Sequence, residues 1–245
     1  MEEVKELITT KEELDWTERA KTGSSKTKNE FLEKNGYLVI KDLWDPDELY
    51  HPVPTERGLL LYDGKSVDNY EKKDERQVLG SVARYWHPQY RSIHSGIRKK
   101  LEKAIGRELY NTYYYDRFYF DHQELTPHTD RDACEISVSV HVSTNLPEPH
   151  SQWPLCIKTP DTYTDKTHRE TLVPGENRSV VLGPGDGMIY KGCERPHWRG
   201  PMTHPRRRKR DIILRRPETE WYYHQIFFHY VLADGLRAHC AYDRG

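Results

Sequence analysis

The sequence predicts a mainly β protein in which two layers of β-sheet are buttressed by helices near the N-terminus. Two observations lead to this prediction. Helix signals are concentrated in residues 1–35, where Thr27 with Glu30 fits a capping box. Stretches with strand character follow from Leu109 onward, and loops rich in Pro, Gly, Asp and Thr separate them.

The first part of the chain carries three further signals. Gly36 follows the second helical stretch and predicts its end, and GYLVIKDLW then predicts a strand. Residues 45–85 are rich in Pro, Asp and Gly, which predicts a long loop or lid. The stretch SIHSGIRKKLEKAIG predicts a helix, because apolar residues recur at four-residue steps. These residues are Ile93, Ile97, Leu101 and Ile105.

Six stretches between residues 109 and 235 predict the strands of the β core: LYNTYYYDRFYF, CEISVSVHVS, WPLCIKT, RSVVLG, GMIYKG and WYYHQIFFHYVL. The second stretch alternates strictly between apolar and polar side chains. Its apolar face is formed by Ile136, Val138, Val140 and Val142. Its polar face is formed by Glu135, Ser137, Ser139, His141 and Ser143. Such alternation indicates a strand with two different surroundings.

Size and charge restrict the class of protein. All-β proteins of 245 residues can fold as one unit, so we expect a single domain over residues 1–245. The formal net charge of -1 gives no broad attraction to nucleic acid or membrane. No apolar run approaches the roughly 18 residues of a membrane span, and the N-terminus lacks a signal peptide's apolar segment. We expect a soluble, cytoplasmic protein whose four scattered cysteines are free thiols.

A candidate metal site begins just ahead of the alternating strand. His128 and Asp130 are two residues apart, so on an extended chain their side chains point the same way. A third candidate ligand is His197, which follows a glycine-rich turn at Gly183–Gly187 and the short stretch MIYK. Two imidazoles and one carboxylate are the ligand set of non-heme iron(II) sites that leave other coordination positions open.

These motifs together resemble the iron(II)/2-oxoglutarate-dependent oxygenase superfamily, in its prolyl 4-hydroxylase-like form. The similar features are HTD at a strand edge, the GDGMIY turn and strand, RPHWRGP, and NGYLVIKDLW near the start. The resemblance covers residues 30 to 235. It implies a double-stranded β-helix, or jelly roll, in which His128, Asp130 and His197 bind Fe(II).

The resemblance also implies an activity. Such enzymes use 2-oxoglutarate and dioxygen as co-substrates, release succinate and CO2, and hydroxylate a C–H bond; ascorbate is a further candidate cofactor. We expect a peptidyl, amino-acid or small-molecule substrate. A non-catalytic binding protein or isomerase of cupin type is a competing interpretation. Zinc is another alternative, because Cys193 and His197 have the spacing of half a zinc knuckle.

The far carboxylate of 2-oxoglutarate requires a cation, and here the sequence departs from many relatives. They carry Arg or Lys about ten positions beyond the last histidine, whereas this chain has the stretch THPRRRKRD there. Arg199 is our first candidate, because its planar fork can bind a carboxylate through two hydrogen bonds. Arg117 is the alternative. The other candidate co-substrate residues are Tyr115 and Tyr119, on the same face as Arg117, and Gln225 on the last strand.

The strongest charge feature is the run Arg206–Arg210, with Arg215 and Arg216 behind it. We interpret it first as a solvated loop. A run of arginines can also bind phosphates, which makes nucleic acid the second choice of substrate for the same iron chemistry. The histidines His141 and His229 lie on predicted strands, and we interpret them as core residues rather than ligands.

Overall fold

A computed structural model of the chain describes residues 25–54, 59, 61–165, 170–206 and 220–243. Two α-helices lie within these ranges, α1 (Glu30–Asn35) and α2 (Tyr90–Ile105). The strands of the first half are β1 (Tyr37–Ile40), β2 (Leu61–Tyr62), β3 (Lys65–Ser66), β4 (Glu71–Lys73), β5 (Ser81–Tyr85), β6 (Leu109–Phe120) and β7 (Leu125–His128). Those of the second half are β8 (Ile136–Thr144), β9 (Leu155–Lys158), β10 (Thr162–Asp165), β11 (Glu170–Val173), β12 (Asn177–Val180), β13 (Gly187–Tyr190), β14 (His197–Arg199) and β15 (Tyr222–Leu232).

The strands form two main antiparallel sheets. The major sheet has nine strands in the order β1-β13-β8-β15-β6-β5-β4-β3-β2, and the minor sheet has four in the order β12-β9-β14-β7. Strands β10 and β11 form a separate hairpin. The order of both main sheets departs from the order along the chain, as expected for a jelly roll rather than a meander. The predicted fold class, mainly β and of jelly-roll type, is confirmed.

The outer face of the major sheet packs against helix α2. The apolar face of β8, with Ile136, Val138 and Val140, is fully buried there. Ile97 and Leu101 of α2 belong to the same core cluster. The helix predicted from the four-residue repeat is therefore confirmed, and its apolar stripe packs on the sheet. The helix begins at Tyr90, two residues before the stretch that predicts it.

The inner face of the major sheet, which carries the polar side of β8, belongs to a second core that it shares with the minor sheet. This core includes Tyr119 and Phe227 from the major sheet and Leu125, Leu155 and Ile157 from the minor one. The side chains of Ser137, Ser139 and His141 are also buried on this face. Polar residues that would ordinarily face solvent are thus enclosed between two sheets, which makes this interior the place to look for a site.

The N-terminal prediction is confirmed in part. Residues 1–24 lie outside the described residues, and helix α1 ends at Gly36, whose φ of 77° is the left-handed value that favours glycine. The predicted capping box of Thr27 with Glu30 is wrong. Asn29 is the N-cap, and its side chain accepts from the Leu32 amide at 2.9 Å. Thr27 instead donates both its amide and its hydroxyl to Glu33, each at 2.8 Å.

The prediction of a long loop over residues 45–85 is also wrong. Strands β2 to β5 lie within this range and extend one edge of the major sheet. Of these, β4 is largely exposed, and its sequence EKK contains no apolar residue and therefore no apolar alternation. It is a strand because it pairs in register with β5, where Glu71 lies opposite Ala83. Backbone pairing with a neighbour replaces the missing sequence signal.

Two smaller sequence signals have physical counterparts. Gly185 has φ of 84° in the turn before β13, as the glycine-rich turn predicts. A Cβ on Gly187 would lie 2.3 Å from Leu43, so only glycine allows this close approach. The four cysteines are free, as expected. Among the described residues, no helix has both the length and the apolar character needed to cross a membrane.

Candidate metal and co-substrate site

The two candidate histidine ligands are brought together by a strand pair that the sequence did not predict. His128 ends β7 and His197 begins β14, and the two residues lie opposite each other in the antiparallel pair. Their ring centroids are 4.3 Å apart. Both strands belong to the minor sheet, and Asp130 follows β7 by two residues. The HxD motif and the distant histidine therefore meet through sheet pairing.

The ligand atoms converge on one point. Asp130 Oδ1 lies 3.5 Å from Nε2 of His128 and 3.6 Å from Nε2 of His197. The three potential ligand atoms all lie within 4.8 Å of one another. A carboxylate oxygen and two ring nitrogens at these separations leave room for a metal ion about 2 Å from each.

Each histidine is held in the tautomer that a metal needs. Nδ1 of His128 is 2.8 Å from the Thr126 carbonyl, and Nδ1 of His197 is 3.0 Å from the Arg195 carbonyl. A carbonyl only accepts, so both Nδ1 atoms carry the proton and both Nε2 atoms keep a lone pair. The lone pairs face Asp130.

Electrostatics agree with this arrangement. Burial, together with the neighbouring His128, lowers the pKa of His197 to about 4, so this ring is neutral at physiological pH. Burial alone would raise the pKa of Asp130, but His197 and His128 hold it well below its usual range. The site thus offers one carboxylate and neutral imidazole, the protonation states required for metal binding.

The zinc alternative receives no geometric support. Cys193 donates its thiol proton to the Arg131 carbonyl at 3.1 Å. Burial raises the pKa of this thiol well above its ordinary value, which disfavours the thiolate that would bind zinc. Within the described residues, Cys193 belongs to none of the side-chain groups that could hold a metal ion.

Arg199 lies two residues beyond His197 on β14 and is 1% exposed. Its guanidinium packs 4.6 Å from the ring of Trp153 and 4.8 Å from that of Tyr223. One nitrogen, Nη1, donates to the Trp153 carbonyl. Within the part of the chain that the structure describes, Nε and Nη2 have no hydrogen-bond partner. A buried guanidinium with two nitrogens that lack a partner can bind an anion.

Arg117 is buried as well, but its charge is already compensated. It forms an ion pair with Glu75, and its Nη1 donates to the Tyr119 hydroxyl at 3.3 Å. Only Nε lacks a partner among the described residues. Comparison of the two arginines therefore favours Arg199 as the candidate to bind the carboxylate of a ligand.

The other candidate co-substrate residues lie on the inner face of the major sheet. Tyr119 packs edge-on against Trp153 at 5.1 Å, beside Arg199. Tyr115 stacks between Tyr85 and Phe227, at 4.9 and 4.7 Å. Gln225 of β15 lies opposite Arg117 of β6 in the antiparallel pair. Gln225 is fully buried, and neither polar atom of its amide has a partner among the described residues.

Two further residues of this interior are not among the predicted site residues: Tyr223, and His141, which was interpreted as a core residue and is buried. His141 stacks on Tyr223 at 4.1 Å, and its Nδ1 donates to the Leu182 carbonyl at 2.9 Å. Burial, together with Arg199, lowers the pKa of His141 to about 4. Its Nε2 and the Tyr223 hydroxyl lack partners among the described residues. The sequence does place both residues on this face: His141 lies on the polar side of the β8 alternation, and Tyr223 is two residues before Gln225 on the same strand.

The basic run cannot be placed. Arg206 is the only residue of Arg206–Arg210 within the described residues, and residues 207–219, which include Arg215 and Arg216, lie outside them. The prediction that this run is a solvated loop stays a prediction.

Comparison with solved structures places the fold. An oxidoreductase of the 2OG-Fe(II) oxygenase family from Burkholderia pseudomallei is 10% identical, with a TM-score of 0.53 over 94% of this chain and 94% of that chain. The non-heme alpha-ketoglutarate-dependent epimerase SnoN from nogalamycin biosynthesis is 12% identical, with a TM-score of 0.51 over 90% of this chain and 84% of that chain. A prolyl-4-hydroxylase from Pseudomonas putida is 14% identical, with a TM-score of 0.49 over 81% of this chain and 95% of that chain.

No protein-family profile and no curated protein matches this sequence. The structural similarities confirm, at the level of the fold, the resemblance to 2-oxoglutarate/iron(II) oxygenases that the motifs indicate.

Proposed function

We propose that the chain is an Fe(II)- and 2-oxoglutarate-dependent dioxygenase that hydroxylates a C–H bond of a peptidyl, amino-acid or small-molecule substrate and releases succinate and CO2. One observation carries the proposal. The third ligand of the metal-binding triad, His197, lies on the same short strand as a buried arginine with two unpartnered nitrogens among the described residues, and only Trp198 separates His197 from Arg199.

The ligand set suits iron(II) in particular. His128, Asp130 and His197 supply two imidazole nitrogens and one carboxylate oxygen, which leaves open positions for a chelating co-substrate and dioxygen. When bound, Fe(II) supplies the activation of dioxygen that is coupled to oxidative decarboxylation of 2-oxoglutarate. The epimerase SnoN, which shares the fold, has been solved in complex with Fe3+ and alpha ketoglutarate.

The protein's own contribution is to bind and orient the co-substrate. Arg199 would bind the far carboxylate through Nε and Nη2, because neither nitrogen has a hydrogen-bond partner among the described residues. Trp153 and Tyr223 pack on the guanidinium and exclude water, which strengthens the charge-assisted hydrogen bonds. The Tyr223 hydroxyl and the Gln225 amide are further unpaired donors on the same inner face.

Anaerobic titration tests this proposal. Purified protein is loaded with Fe(II), and 2-oxoglutarate is added in the absence of dioxygen. We expect the weak visible charge-transfer band of the chelate in wild type and no band in His197→Ala. Admission of dioxygen with ascorbate should then yield succinate. A wild-type protein that binds Fe(II) but shows neither the band nor succinate would contradict the proposal and favour a cupin-like binding protein.

Nucleic acid is the second substrate class, and it depends on Arg206–Arg210. If phosphates bind there, each lost contact should flatten the log–log salt dependence of binding by about one unit. We expect instead that replacing these five residues by Gln leaves succinate formation without added substrate intact. Gel-shift titration of both proteins on single- and double-stranded DNA and RNA decides between the two. Tight wild-type binding that disappears in the variant would promote nucleic acid to first choice.

A further inference from the structure

A chain of polar side chains lies behind Asp130, on the side away from the two histidines. The two oxygens of the Asp130 carboxylate have different surroundings. Oδ1 faces Nε2 of His128 and of His197, at 3.5 and 3.6 Å. Oδ2 accepts a hydrogen bond from the Ser137 hydroxyl at 2.9 Å. One oxygen is thus available to a metal and the other is occupied by the protein.

The Ser137 hydroxyl has a second close partner, the imidazole of His229. Ser137 Oγ lies 3.1 Å from Nδ1 of His229. The serine hydroxyl has a single proton, and a carboxylate at neutral pH can only accept. Ser137 therefore donates to Asp130 and accepts the Nδ1 proton of His229. The same hydroxyl has a longer contact, 3.3 Å to the Cys134 carbonyl, and the shorter distance and negative charge of Asp130 favour donation to the carboxylate.

The imidazole of His229 is itself held in place by packing. It is 2% exposed and stacks on the ring of Tyr113 at 4.5 Å with an interplanar angle of 28°. The Tyr113 hydroxyl lies 3.2 Å from the Cys134 sulfur. The donor at the end of the chain therefore has little freedom to turn away from Ser137.

Gly192 closes the remaining space around Asp130. A Cβ at this position would lie 2.3 Å from Asp130 Oδ2 and 2.4 Å from Ser137 Oγ, so any side chain would displace the hydrogen bond between them. The Gly192 carbonyl also accepts from the Asp130 amide at 2.9 Å. Glycine is required here for close approach, and the contact fixes both the main chain and the side chain of Asp130.

We infer that His229, Ser137 and Gly192 are positioning residues that restrict Asp130 to binding the metal through Oδ1 alone. The inference rests on the proposed function, since it assigns the role of these residues toward the same metal ion. A carboxylate free to rotate could present both oxygens and occupy a coordination position that the co-substrate or dioxygen requires. Hydrogen-bonding partners of metal ligands typically change metal affinity 10- to 100-fold when they are removed.

The first test compares two serines of one strand. Ser137 and Ser139 lie on the same face of β8, but within the described part of the chain the Ser139 hydroxyl hydrogen-bonds to the Tyr190 hydroxyl, at 3.4 Å, and not to a metal ligand. Cobalt(II) serves as the probe, because it substitutes for Fe(II) without supporting turnover and its visible spectrum reports coordination geometry. We expect Ser137→Ala to weaken cobalt(II) binding about 10- to 100-fold and to change the spectrum. Ser139→Ala should leave both unchanged. Equal affinity and spectrum in Ser137→Ala and wild type would overturn the inference.

The second test separates hydrogen bonding from packing at His229. His229→Asn keeps an N–H donor near the position of Nδ1 but loses the ring, whereas His229→Phe keeps a ring against Tyr113 but has no donor. We expect Asn to retain more of the cobalt(II) affinity than Phe. The reverse order would show that the residue acts only through packing and would contradict the inference.

The third test places a methyl group in the cradle. Gly192→Ala changes none of the three ligand residues nor the serine, but its methyl group would displace the hydrogen bond between Ser137 and Asp130, so it should reduce cobalt(II) affinity as Ser137→Ala does. Thermal unfolding of each metal-free variant reports whether the fold is kept. If Ser137→Ala does not fold, the comparison of His229→Asn with His229→Phe tests the inference in its place. Wild type that binds no metal would refute the proposed function itself. Wild type that binds metal alongside an equally competent Ser137→Ala would refute only the positioning role.

Discussion

Adjacent residues on β6, Asp116 and Arg117, point to opposite faces of the major sheet and meet two different surroundings. On the outer face, Asp116 is fully buried and completely paired. Arg84 donates to its two oxygens through Nε and Nη2, at 3.0 and 3.1 Å. His224 donates from Nε2 at 2.8 Å, and the Tyr70 hydroxyl donates as well. All three partners of the Asp116 carboxylate are residues of the protein itself, although Nδ1 of His224 has no partner among the described residues.

On the inner face, buried polar atoms remain without protein partners among the described residues. They are Nε of Arg117, Nε and Nη2 of Arg199, both amide atoms of Gln225, the Tyr223 hydroxyl and Nε2 of His141. Buried polar groups in folded proteins are nearly always hydrogen-bonded, so a cluster of exceptions indicates a place where a ligand binds. The comparison teaches that a fully paired buried carboxylate such as Asp116 stabilises the fold, whereas a cluster of unpaired buried polar groups identifies the site.

The largest effect should come from the metal ligands on the inner side. We expect His197→Ala and Asp130→Ala each to abolish both Fe(II) binding and turnover, because two remaining ligands make a weak site. Metal content after dialysis and succinate formation are the measurements. His224→Gln, a change of a buried histidine on the outer face, should keep the metal content of wild type. If both ligand variants retained wild-type metal and activity, the site would be wrongly assigned.

The next effect should fall on stability and not on the site. Asp116→Ala leaves the buried Arg84 without its carboxylate partner, which should lower the free energy of unfolding by about 3–5 kcal/mol. Urea denaturation measures this change. The exposed Glu71→Ala on β4 is the control and should change stability little. Folded Asp116→Ala protein should still bind 2-oxoglutarate with unchanged affinity; weakened binding would show that the two faces are coupled.

A matched pair of arginines sharpens the contrast within the inner face. We expect Arg199→Ala to weaken 2-oxoglutarate binding by about 2–5 kcal/mol with Fe(II) binding little changed, because a buried charge-assisted double hydrogen bond is lost. Arg117→Ala should have the smaller effect on the co-substrate, since Arg117 is already paired with Glu75. The charge-transfer titration measures both. Loss of 2-oxoglutarate binding in Arg117→Ala alone would move the carboxylate site to β6.

The smallest effect should be a pH dependence of stability that both faces share. Burial lowers the pKa of His94, on the buried face of helix α2, to about 3 and that of His141 to about 4. An unfolded histidine takes up a proton near pH 6.5, so below this pH the unfolded state binds more protons than the folded state. The free energy of unfolding should therefore fall as pH decreases from 6.5 toward 5, by up to about 1.4 kcal/mol per pH unit for each histidine.

Removal of one histidine tests this sign and its origin. His94→Phe should unfold with a pH slope that is smaller by about one proton between pH 6.5 and 5, because the variant no longer has that titrating group. Urea unfolding at several pH values measures the slope in both proteins. An unchanged slope would mean that His94 is not the neutral, buried group that its packing against Phe228 and Tyr230 indicates.

Local features of this protein follow from the sequence by itself. The alternation in β8 separates an apolar outer face from a polar inner one, because successive side chains of a strand point to opposite sides. The same rule places Tyr115, Arg117 and Tyr119 on one face, and the four-residue repeat gives helix α2 its buried stripe. The spacing of His128 and Asp130 identifies two of the three candidate metal ligands.

The tertiary structure decided which distant residues meet. The pairing of β7 with β14 places His197 opposite His128. Glu75 forms an ion pair with Arg117, whereas Arg199 has two nitrogens without a partner among the described residues. These outcomes depend on how the chain returns to itself across long loops, and no local period encodes such contacts. The same reason explains why β4 forms without an apolar pattern: its hydrogen bonds come from a neighbouring strand, which exists only once the sheet has formed.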